Sequence, residues 1–529
     1  MWLDLLSTPN MAFFFEHERP LSTKIVRNVG AGVLRVLLVA PVPFLLTPLI
    51  LHKVGTRGYG TWAVLVAISN LTSLADLGLL GTLSKYVAEY NAKRDFVSLD
   101  RLVGTGLALF ALLGVLVVSL LWAMSPQLSS WLFRGSANEP AELLGAFHCL
   151  LVLVGLNIFM FPFSSVTSGL QRLDLTNLLT SVNVFCGAVF GASFLFLGRG
   201  VRGLLYGSIF SAAITFVLYV WVAHKLLPQV HFNPLHPDIK EARKIFRFSL
   251  QIYVTQGAVA IHNQIEKLFL ALFAGVVAAG WYDIASDLAV KIRNVPGLLL
   301  SPILPAASEL SARGDEERLE ELYYRAHKYL AFIGVPFVFY VVAVSRRFVE
   351  LWIGPNLSVV AAPLGILLLV NFFNLTTGPG LMIFVGKGFL RPGVYSALVG
   401  AGLNVPLSFA LIYFYGFRGA ILGTSISLVT ASGFFLYLFH RHTQNSVARL
   451  LREAYLKPVV CSLFLLVLIF AISPAEGLSW LGLFLHGCVF AVLYMVLLLS
   501  TNFFDRYDWL KAETIMPIAR IARRFVPVA

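Results

Sequence analysis

The stretch RGLLYGSIFS, residues 202–211, recurs in related form as RGAILGTSIS at residues 418–427. Both copies read R-G-x-x-x-G-[ST]-x-x-S, and the same offset of 216 positions carries His224–Lys225 onto His440–Arg441. Each copy begins an apolar segment, and glycines four residues apart let two membrane helices approach closely. The repeat therefore predicts two related halves that face the same way, with a shared cavity between them.

The composition of the chain is that of a protein embedded in a bilayer. Of its 529 residues, 58% are hydrophobic and 13% are charged, and the mean hydropathy is +0.80. A soluble chain of this length needs more polar side chains to cover its surface, which excludes a soluble multidomain protein. The expected fold class is an all-α polytopic membrane protein.

Fourteen apolar segments approach the length of roughly 20 residues that a membrane-spanning helix requires. These spans are predicted at 29–51, 60–83, 102–124, 142–165, 177–198, 203–223, 247–270, 276–306, 329–345, 362–386, 393–414, 419–439, 458–474 and 480–500. The domains follow as an N-terminal segment 1–28, an N-lobe 29–224, a linker 225–246, a C-lobe 247–440, two extra spans with their loop in 441–500, and a basic tail 501–529.

The 40 Lys and Arg residues are unevenly divided between the two sides of these spans. With a cytoplasmic N-terminus, 28 fall in inner loops and tails, 8 in outer loops and four within spans. Because inner loops carry an excess of Lys and Arg, both termini are predicted to be cytoplasmic. The net charge of +13 is thus assigned to membrane orientation, and no nucleic-acid partner is expected. The first residues include acids and are not expected to form a secretory signal.

The repeat also predicts where span 7 ends. Hydropathy alone allows it to end at Ile265, which leaves Glu266–Lys267 in an outer turn. Shifting span 2 by the repeat offset instead starts span 8 at about residue 276. We therefore expect the Glu266–Lys267 pair within span 7, and Lys291 and Arg293 within span 8.

A series of short motifs gives the segment 24–440 a resemblance to a known family. They are Asn28 before span 1, GTRGYGTW after it, SLADLGLL in span 2, AGVVAAGWYDIASDLA and LLLSPILPAASEL in span 8, VELWIGPN after span 9, and GFRGAILGTSIS at span 12. In this order and spacing, the chain resembles the Wzx-type polysaccharide flippases of the multidrug/oligosaccharidyl-lipid/polysaccharide exporter superfamily. That family often has Asp followed by a basic residue where this chain has Glu266–Lys267.

The resemblance implies a MATE-like fold of fourteen helices, with two lobes around a central cavity. It implies a transporter rather than an enzyme, one that moves a polyprenyl-diphosphate-linked glycan from the inner to the outer leaflet of the bacterial inner membrane by alternating access. The expected partners are the lipid bilayer, this substrate and other polysaccharide assembly proteins. No cofactor is expected, and coupling to H⁺ or Na⁺ is left open.

Charged residues within spans are candidate site residues, because a charge at the bilayer centre costs about 2.5–3.5 kcal/mol and is retained where it faces a cavity or a partner. The candidate cations for the diphosphate are Arg35, Lys267, Lys291 and Arg293. A guanidinium can bind a phosphate through two hydrogen bonds. For Arg35 the alternative is a side chain that reaches the inner headgroups. For Arg293 it is a local counter-charge, although Pro296 can kink the helix and redirect the side chain.

Polar side chains of span 7 are candidates for lining the cavity. Gln256, Asn263 and Lys267 share one helix face, which suggests contact with water. His262 and Glu266 lie four residues apart and can pair. The alternative is that Glu266 and Lys267 only neutralise each other.

The remaining candidates are acids in spans 2 and 8. Asp283, Asp287 and Lys291 follow one face of span 8, and Asp287–Lys291 has the favourable acid-first order. Asp283 and Asp287, like Glu266, are candidates for ion coupling. Asp76 in span 2 could pair with Arg35 or cap a helix break at Gly78, and a structural or gating role is favoured over proton carriage.

Three other functions compete with this hypothesis. A multidrug antiporter of the same superfamily commonly has an acid in span 1, where this chain has Arg35. A membrane-embedded glycan polymerase or glycosyltransferase usually needs a large outer loop, and the longest ones predicted here have about 16–17 residues. An inactive scaffold in a glycan-assembly complex differs from a transporter only in a flipping assay.

Nucleotide and metal sites are not expected. LMIFVGKG at residues 381–388 lacks the first glycine and the Ser/Thr of a P-loop. His231 and His236 lie in an inner loop and are not expected to bind a metal. The four cysteines lie in apolar segments and are expected to be core residues. The adjoining segment IKEARKIFRF, residues 239–248, is amphipathic and is expected to lie along the headgroups.

Overall fold

The computed structural model describes Val39 and residues 41–76, 78–133, 140–235, 237–472 and 475–509. In this part of the chain the secondary structure consists of helices joined by short connections, without any β-strand. The predicted all-α membrane fold class is confirmed.

The helices fall into an earlier and a later series. The earlier helices are α1 (Pro41–Leu71), α2 (Leu79–Ala92), α3 (Phe96–Leu132), α4 (Pro140–Gly169), α5 (Leu173–Phe196), α6 (Gly200–Leu226) and α7 (Ile239–Phe273). The later helices are α8 (Val276–Gly297), α9 (Ile303–Ala312), α10 (Glu316–Ile353), α11 (Ala361–Leu375), α12 (Gly378–Gly386), α13 (Arg391–Thr443), α14 (Val447–Ile472) and α15 (Trp480–Ser500).

Ten helical segments in the described residues are long and apolar enough to cross a membrane. They correspond to predicted spans 3–6, 8–10, 13 and 14, and to spans 11 and 12 together in the 53-residue helix α13. Within the described residues, spans 1, 2 and 7 do not meet the length and hydropathy criteria for crossing a membrane. Span 1 begins outside the described part, span 2 is divided between α1 and α2 by a 3₁₀ turn, and polar side chains lower the hydropathy of α7. The predicted number of fourteen is therefore approximate, although each predicted segment overlaps a helix.

The chain separates into two compact units, of which the first ends at Gly280 and the second begins at Trp281. The first unit contains α1–α7 and the first residues of α8, and the second unit contains the later helices. The division into lobes at 29–224 and 247–440 remains a prediction.

The end of span 7 lies where the repeat predicted it. Helix α7 continues to Phe273, Gly275 has a positive φ of 87°, and α8 begins at Val276. The Glu266–Lys267 pair is therefore inside α7 rather than in a turn. Lys291 and Arg293 are likewise inside α8, so the boundary predicted from the repeat is confirmed.

Glycines bring the arms of two helical hairpins together in the two repeat copies. A Cβ on Gly207 of α6 would lie 2.6 Å from the Cα of Gly191 in α5. Helix α13 bends at Gly416, where φ is 54°, and its second arm folds back on the first. A Cβ on Gly423 would lie 3.1 Å from the Cα of Ser408. The glycines are needed because the backbones are nearly in contact.

A serine–asparagine hydrogen bond also recurs in the two hairpins. Ser211 Oγ donates to Asn183 Oδ1 at 2.6 Å, which joins α6 to α5. Asn404 Nδ2 donates to Ser427 Oγ at 3.2 Å, which joins the two arms of α13. Ser211 and Ser427 are the final serines of the two quoted repeats. In both repeat copies the final serine therefore joins its helix to an asparagine of the neighbouring arm.

A close contact joins α1 to the beginning of α8 within the first unit. A Cβ on Gly60 would overlap the carbonyl group of Val276, with 2.6 Å to its carbon. A Cβ on Gly280 would lie 2.9 Å from the Cα of Gly60. Both positions therefore require a residue without a side chain.

A buried ion pair fixes the connection between α4 and α5. Arg172 Nε and Nη2 donate to the two carboxylate oxygens of Asp174, both at 3.1 Å. The two residues are 5% and 8% exposed. A two-point guanidinium–carboxylate contact of this kind has a defined geometry, so it holds the turn in one conformation.

Candidate functional site

Span 2 is broken in its second half, and Asp76 lies at the break. Helix α1 ends at Leu71, a 3₁₀ turn follows over Thr72–Asp76, and α2 begins at Leu79. Asp76 Oδ1 accepts the N–H of Gly78 at 2.6 Å, and Gly78 has a left-handed φ of 76°. The structure thus contains the helix-break cap, one of the two predicted contacts of Asp76. The other predicted partner, Arg35, lies outside the described residues.

We expect the acceptor oxygen of Asp76, rather than its charge, to stabilise this break. Asp76→Ala leaves the Gly78 N–H without this acceptor and should cost about 1 kcal/mol of stability. Asp76→Asn keeps an oxygen and should unfold close to wild type. Thermal unfolding of both variants in the same detergent tests this expectation. Equal loss in the two variants would show that the negative charge is required.

The charged candidates of span 7 are buried in α7. Glu266 is 0% exposed and Lys267 is 7% exposed. Lys267 Nζ donates to Gln264 Oε1 at 3.2 Å. His262 lies one turn before Glu266, and its Nδ1 has no hydrogen-bond partner within the described residues. These side chains form a polar segment inside an otherwise apolar helix bundle.

Two further candidates of span 7 can be placed only along the backbone. Gln256 and Asn263 belong to helix α7. Their side chains lie outside the described part of the structure. The predicted water-lined face therefore remains a prediction.

The acid-first pair of span 8 is present. Lys291 Nζ donates to Asp287 Oδ2 one turn earlier, and the two side chains are 35% and 51% exposed. Asp283 lies a further turn towards the start of α8 and is half-buried. The ammonium of Lys291 is therefore already matched by a carboxylate.

Arg293 is held by an amide rather than by an acid. Its Nη1 donates to Asn374 Oδ1 of α11 at 3.1 Å. The amide nitrogen of Asn374 in turn donates to Ser432 Oγ of α13 at 3.0 Å. Arg293 has no carboxylate partner in the described part of the chain, and its buried Nε has no hydrogen-bond partner there. Its positive charge is therefore oriented but not neutralised by these residues.

Pro296 lies in the last turn of α8, which ends at Gly297 and is followed by the 3₁₀ turn Leu298–Leu300. The α-helical part of the apolar segment 276–312 is therefore interrupted directly after this proline. Arg293, one turn earlier, is oriented by its hydrogen bond to Asn374. Asn374 was not predicted from the sequence, although an asparagine inside the apolar segment LLLVNFFNL was a usable signal.

The sequence candidates divide between the two compact units. Asp76, His262, Glu266 and Lys267 belong to the first unit, and Asp283, Asp287, Lys291 and Arg293 to the second. Within the second unit the structure brings Arg293 together with Asn374 and Ser432. Arg35 lies outside the described residues.

Charged side chains retained inside long apolar helices, together with two related helical hairpins, define a class of polytopic membrane transporters. A family model described as polysaccharide biosynthesis protein matches residues 58–361, which is more than half of the chain. The chain belongs to this family.

Two relatives match most of the chain at low identity. Lipid II flippase MurJ of Bacillus subtilis is 20% identical over 431 residues, covering 74% of this chain and 78% of MurJ. Probable flippase AglR of Haloferax volcanii is 18% identical over 392 residues, covering 73% of this chain and 78% of that relative.

Solved structures of two membrane proteins have a similar fold. A lipid II flippase MurJ in an inward closed conformation has a TM-score of 0.70 at 16% identity, covering 89% of this chain and 98% of that structure. An inward-facing multidrug resistance MATE family transporter of the MOP superfamily has a TM-score of 0.58 at 17% identity, covering 76% of this chain and 94% of that structure.

The comparisons confirm the MATE-like fold and the expected class of a flippase or transporter. The relatives are flippases and transporters rather than enzymes, so the non-enzymatic expectation is also confirmed. The glycan polymerase or glycosyltransferase alternative has no support among them.

Proposed function

We propose that this protein moves a polyprenyl-diphosphate-linked oligosaccharide from the inner to the outer leaflet of a bacterial inner membrane. Both termini face the cytoplasm in this proposal. Two lobes, 29–224 and 247–440, alternate between inward-open and outward-open states. The glycan and diphosphate pass between them while the polyprenyl chain stays in lipid.

The observation that carries the proposal is the environment of Arg293. A guanidinium inside a spanning helix is costly unless it serves a ligand or a partner. Its described hydrogen-bond partner is the neutral side chain of Asn374 at 3.1 Å, which leaves the positive charge available to an anion. A diphosphate is a suitable anion, because guanidinium groups form strong charge-assisted hydrogen bonds with phosphate oxygens.

The membrane potential favours the proposed direction of transport. With the inside negative, outward movement of a dianion is assisted by about 4–5 kcal/mol per 100 mV, provided that no cation moves outward with it. Glu266, Asp283 and Asp287 remain candidates for coupling to H⁺ or Na⁺. Of these, Asp287 is bonded to Lys291.

A multidrug antiporter has the same general fold, so the substrate has to be inferred from charge. A cationic drug would be repelled by Arg293, because no carboxylate among the described residues offsets that charge. The family description, polysaccharide biosynthesis protein, and the two flippase relatives also support a lipid-linked glycan.

Reconstituted liposomes provide the test. We expect the wild-type protein to expose a labelled polyprenyl-diphosphate-linked glycan to an enzyme added outside, and empty liposomes not to do so. Arg35→Gln should reduce the rate roughly 10-fold or more if this residue contacts the diphosphate. Arg391→Gln is the control, because Arg391 is an exposed cation at the start of α13.

The two parts of this experiment have separate meanings. Absence of wild-type transport with several lipid-diphosphate glycans would overturn the proposed function and favour the scaffold alternative. If Arg35→Gln transports the substrate at the wild-type rate, only the proposed role of span 1 in binding the substrate is excluded.

A further inference from the structure

A basic pocket lies where the inner end of α2 meets the first turns of α7, within the first compact unit. Its volume is about 550 Å³. The lining residues are Tyr86 from α2 and Ile239, Lys240, Arg243, Lys244, Arg247 and Phe248 from α7. None of these residues belongs to the candidate transport site, so the pocket needs an explanation of its own.

Three of the cations in this pocket have no acidic partner. Lys240, Arg243 and Arg247 make no ion pair or side-chain hydrogen bond within the part of the chain that the structure describes. Unpaired cations on neighbouring turns of one helix repel one another, and an anion between them removes that repulsion. The pocket therefore offers positive charge that the protein itself leaves unused.

Aromatic rings hold Lys244, the fourth cation of the pocket, and the neighbouring Lys85 in place. Lys85 Nζ lies 3.6 Å from the ring centre of Phe248, and Lys244 Nζ lies 4.1 Å from that of Tyr86. The rings of Tyr86 and Phe248 pack edge to face at 5.9 Å. Cation–π contacts orient an ammonium group without neutralising its charge. The wall of the pocket is thus both ordered and positive.

One carboxylate oxygen of Glu241, an acid close to this wall, is already engaged. Glu241 Oε1 accepts the hydroxyl of Tyr90 at 2.8 Å, and the same hydroxyl accepts from Lys244 Nζ at 2.8 Å. Burial and the hydrogen bond to Glu241 raise the pKa of Tyr90, which keeps its hydroxyl protonated. The carboxylate of Glu241 is therefore hydrogen-bonded to Tyr90 of α2.

A second charged groove, in the other unit, shows that basic residues alone do not make such a site. There Arg325 contacts Glu321 and Asp505, and Lys328 contacts Asp508. Arg449 contacts Glu320 and Glu453. These cations are matched by carboxylates, so an incoming anion would have to displace them. Of the two sites, the pocket at α2 and α7 is the one that contains cations without carboxylate partners.

We propose that this pocket binds the phosphate of an anionic phospholipid headgroup. A lipid fits better than a free phosphate because exposed apolar side chains lie beside the cations, with Ile239 78% and Phe246 58% exposed. Basic pockets at the ends of membrane helices bind anionic headgroups in this way. The site is separate from Arg293 and does not depend on the proposed substrate.

The expected consequence is anchoring of the segment before span 7. Arg243 and Arg247 lie one helical turn apart, so both guanidinium groups can reach the oxygens of one phosphate. A headgroup held there fixes the first turns of α7 at the membrane surface. The bound lipid would then set the position from which α7 enters the bilayer.

Lipid binding to the purified full-length protein tests the proposal. Native mass spectrometry would measure retention of phosphatidylglycerol and of phosphatidylcholine by wild type, by Arg243→Gln/Arg247→Gln, and by Lys93→Gln/Arg391→Gln. The control variant loses the same charge outside the pocket, where Lys93 is paired with Glu89 and Arg391 is exposed. We expect the pocket variant to retain phosphatidylglycerol on the order of 10-fold less well, with phosphatidylcholine unchanged in all three proteins.

Competition distinguishes the source of the phosphate. Inorganic phosphate and farnesyl diphosphate are added to the phosphatidylglycerol-bound protein at equal concentrations. Failure of both to displace the lipid supports the phospholipid site. Displacement by either compound at a concentration equal to that of the lipid would overturn it in favour of a soluble or isoprenoid phosphate. Equal retention of phosphatidylglycerol by the pocket and control variants would overturn the pocket itself.

Discussion

Replacement of Arg293 by glutamine is expected to slow lipid-diphosphate glycan transport by roughly 10–100-fold, because a charge-assisted hydrogen bond contributes about 1.5–3 kcal/mol. Glutamine can still reach towards Asn374 but carries no charge. The half-buried position of Arg293 means that its loss acts at a site shielded from bulk water. Initial rates in reconstituted liposomes at several substrate concentrations measure the effect.

Two further variants separate binding from structure in this prediction. Arg293→Lys keeps the charge but loses the planar pair of donors, so an intermediate rate is expected. Asn374→Ala keeps the guanidinium but removes its 3.1 Å partner, and we expect a weaker apparent affinity with a smaller loss of maximal rate. A wild-type rate in Arg293→Gln, with unchanged size-exclusion behaviour, would exclude Arg293 from the substrate site.

Replacement of Gly60 by alanine is expected to destabilise the first unit by about 1–3 kcal/mol, the usual cost of overpacking. The new Cβ would meet the carbonyl group of Val276, and backbone atoms cannot rotate away as a flexible side chain can. Helix α1 must therefore move away from the start of α8. Thermal unfolding in a single detergent gives the loss of stability, and the liposome assay gives the accompanying loss of transport.

Gly402→Ala is the matched control for this substitution. It places the same methyl group in α13, where no atom lies within 4 Å of the new Cβ. We expect it to unfold and transport as the wild type does. If Gly60→Ala also behaves like wild type, the close approach of α1 and α8 is not required for stability.

The sequence was sufficient for the fold class and for one difficult boundary. Composition predicted a polytopic helical protein, because too few polar side chains are present to cover a soluble surface. The repeat placed Glu266 and Lys267 inside span 7, where hydropathy alone permitted a turn. It succeeded because the glycine spacing reports backbone packing, whereas hydropathy reports only the average polarity of a segment.

The contacts of the candidate site were less predictable. Asp287–Lys291 could be predicted because residues four apart on one helix are neighbours. Arg293 and Asn374 are 81 positions apart, and their contact depends on how α8 and α11 pack. A helix break capped by Asp76 is one of two possibilities that the sequence allows, since Gly78 permits a left-handed conformation. Its presence could be decided only by the three-dimensional structure.

The two glycine-lined hairpins have a mechanical consequence. Their backbones touch, and one amide–hydroxyl bond in each fixes the axial position of one arm against the other. The arms therefore cannot slide by a fraction of a turn without breaking that bond and losing contact. Any bending within these hairpins is instead directed to the turns that join their arms, such as the bend at Gly416. The repeated sequence thereby determines which parts of the molecule are stiff and which can flex.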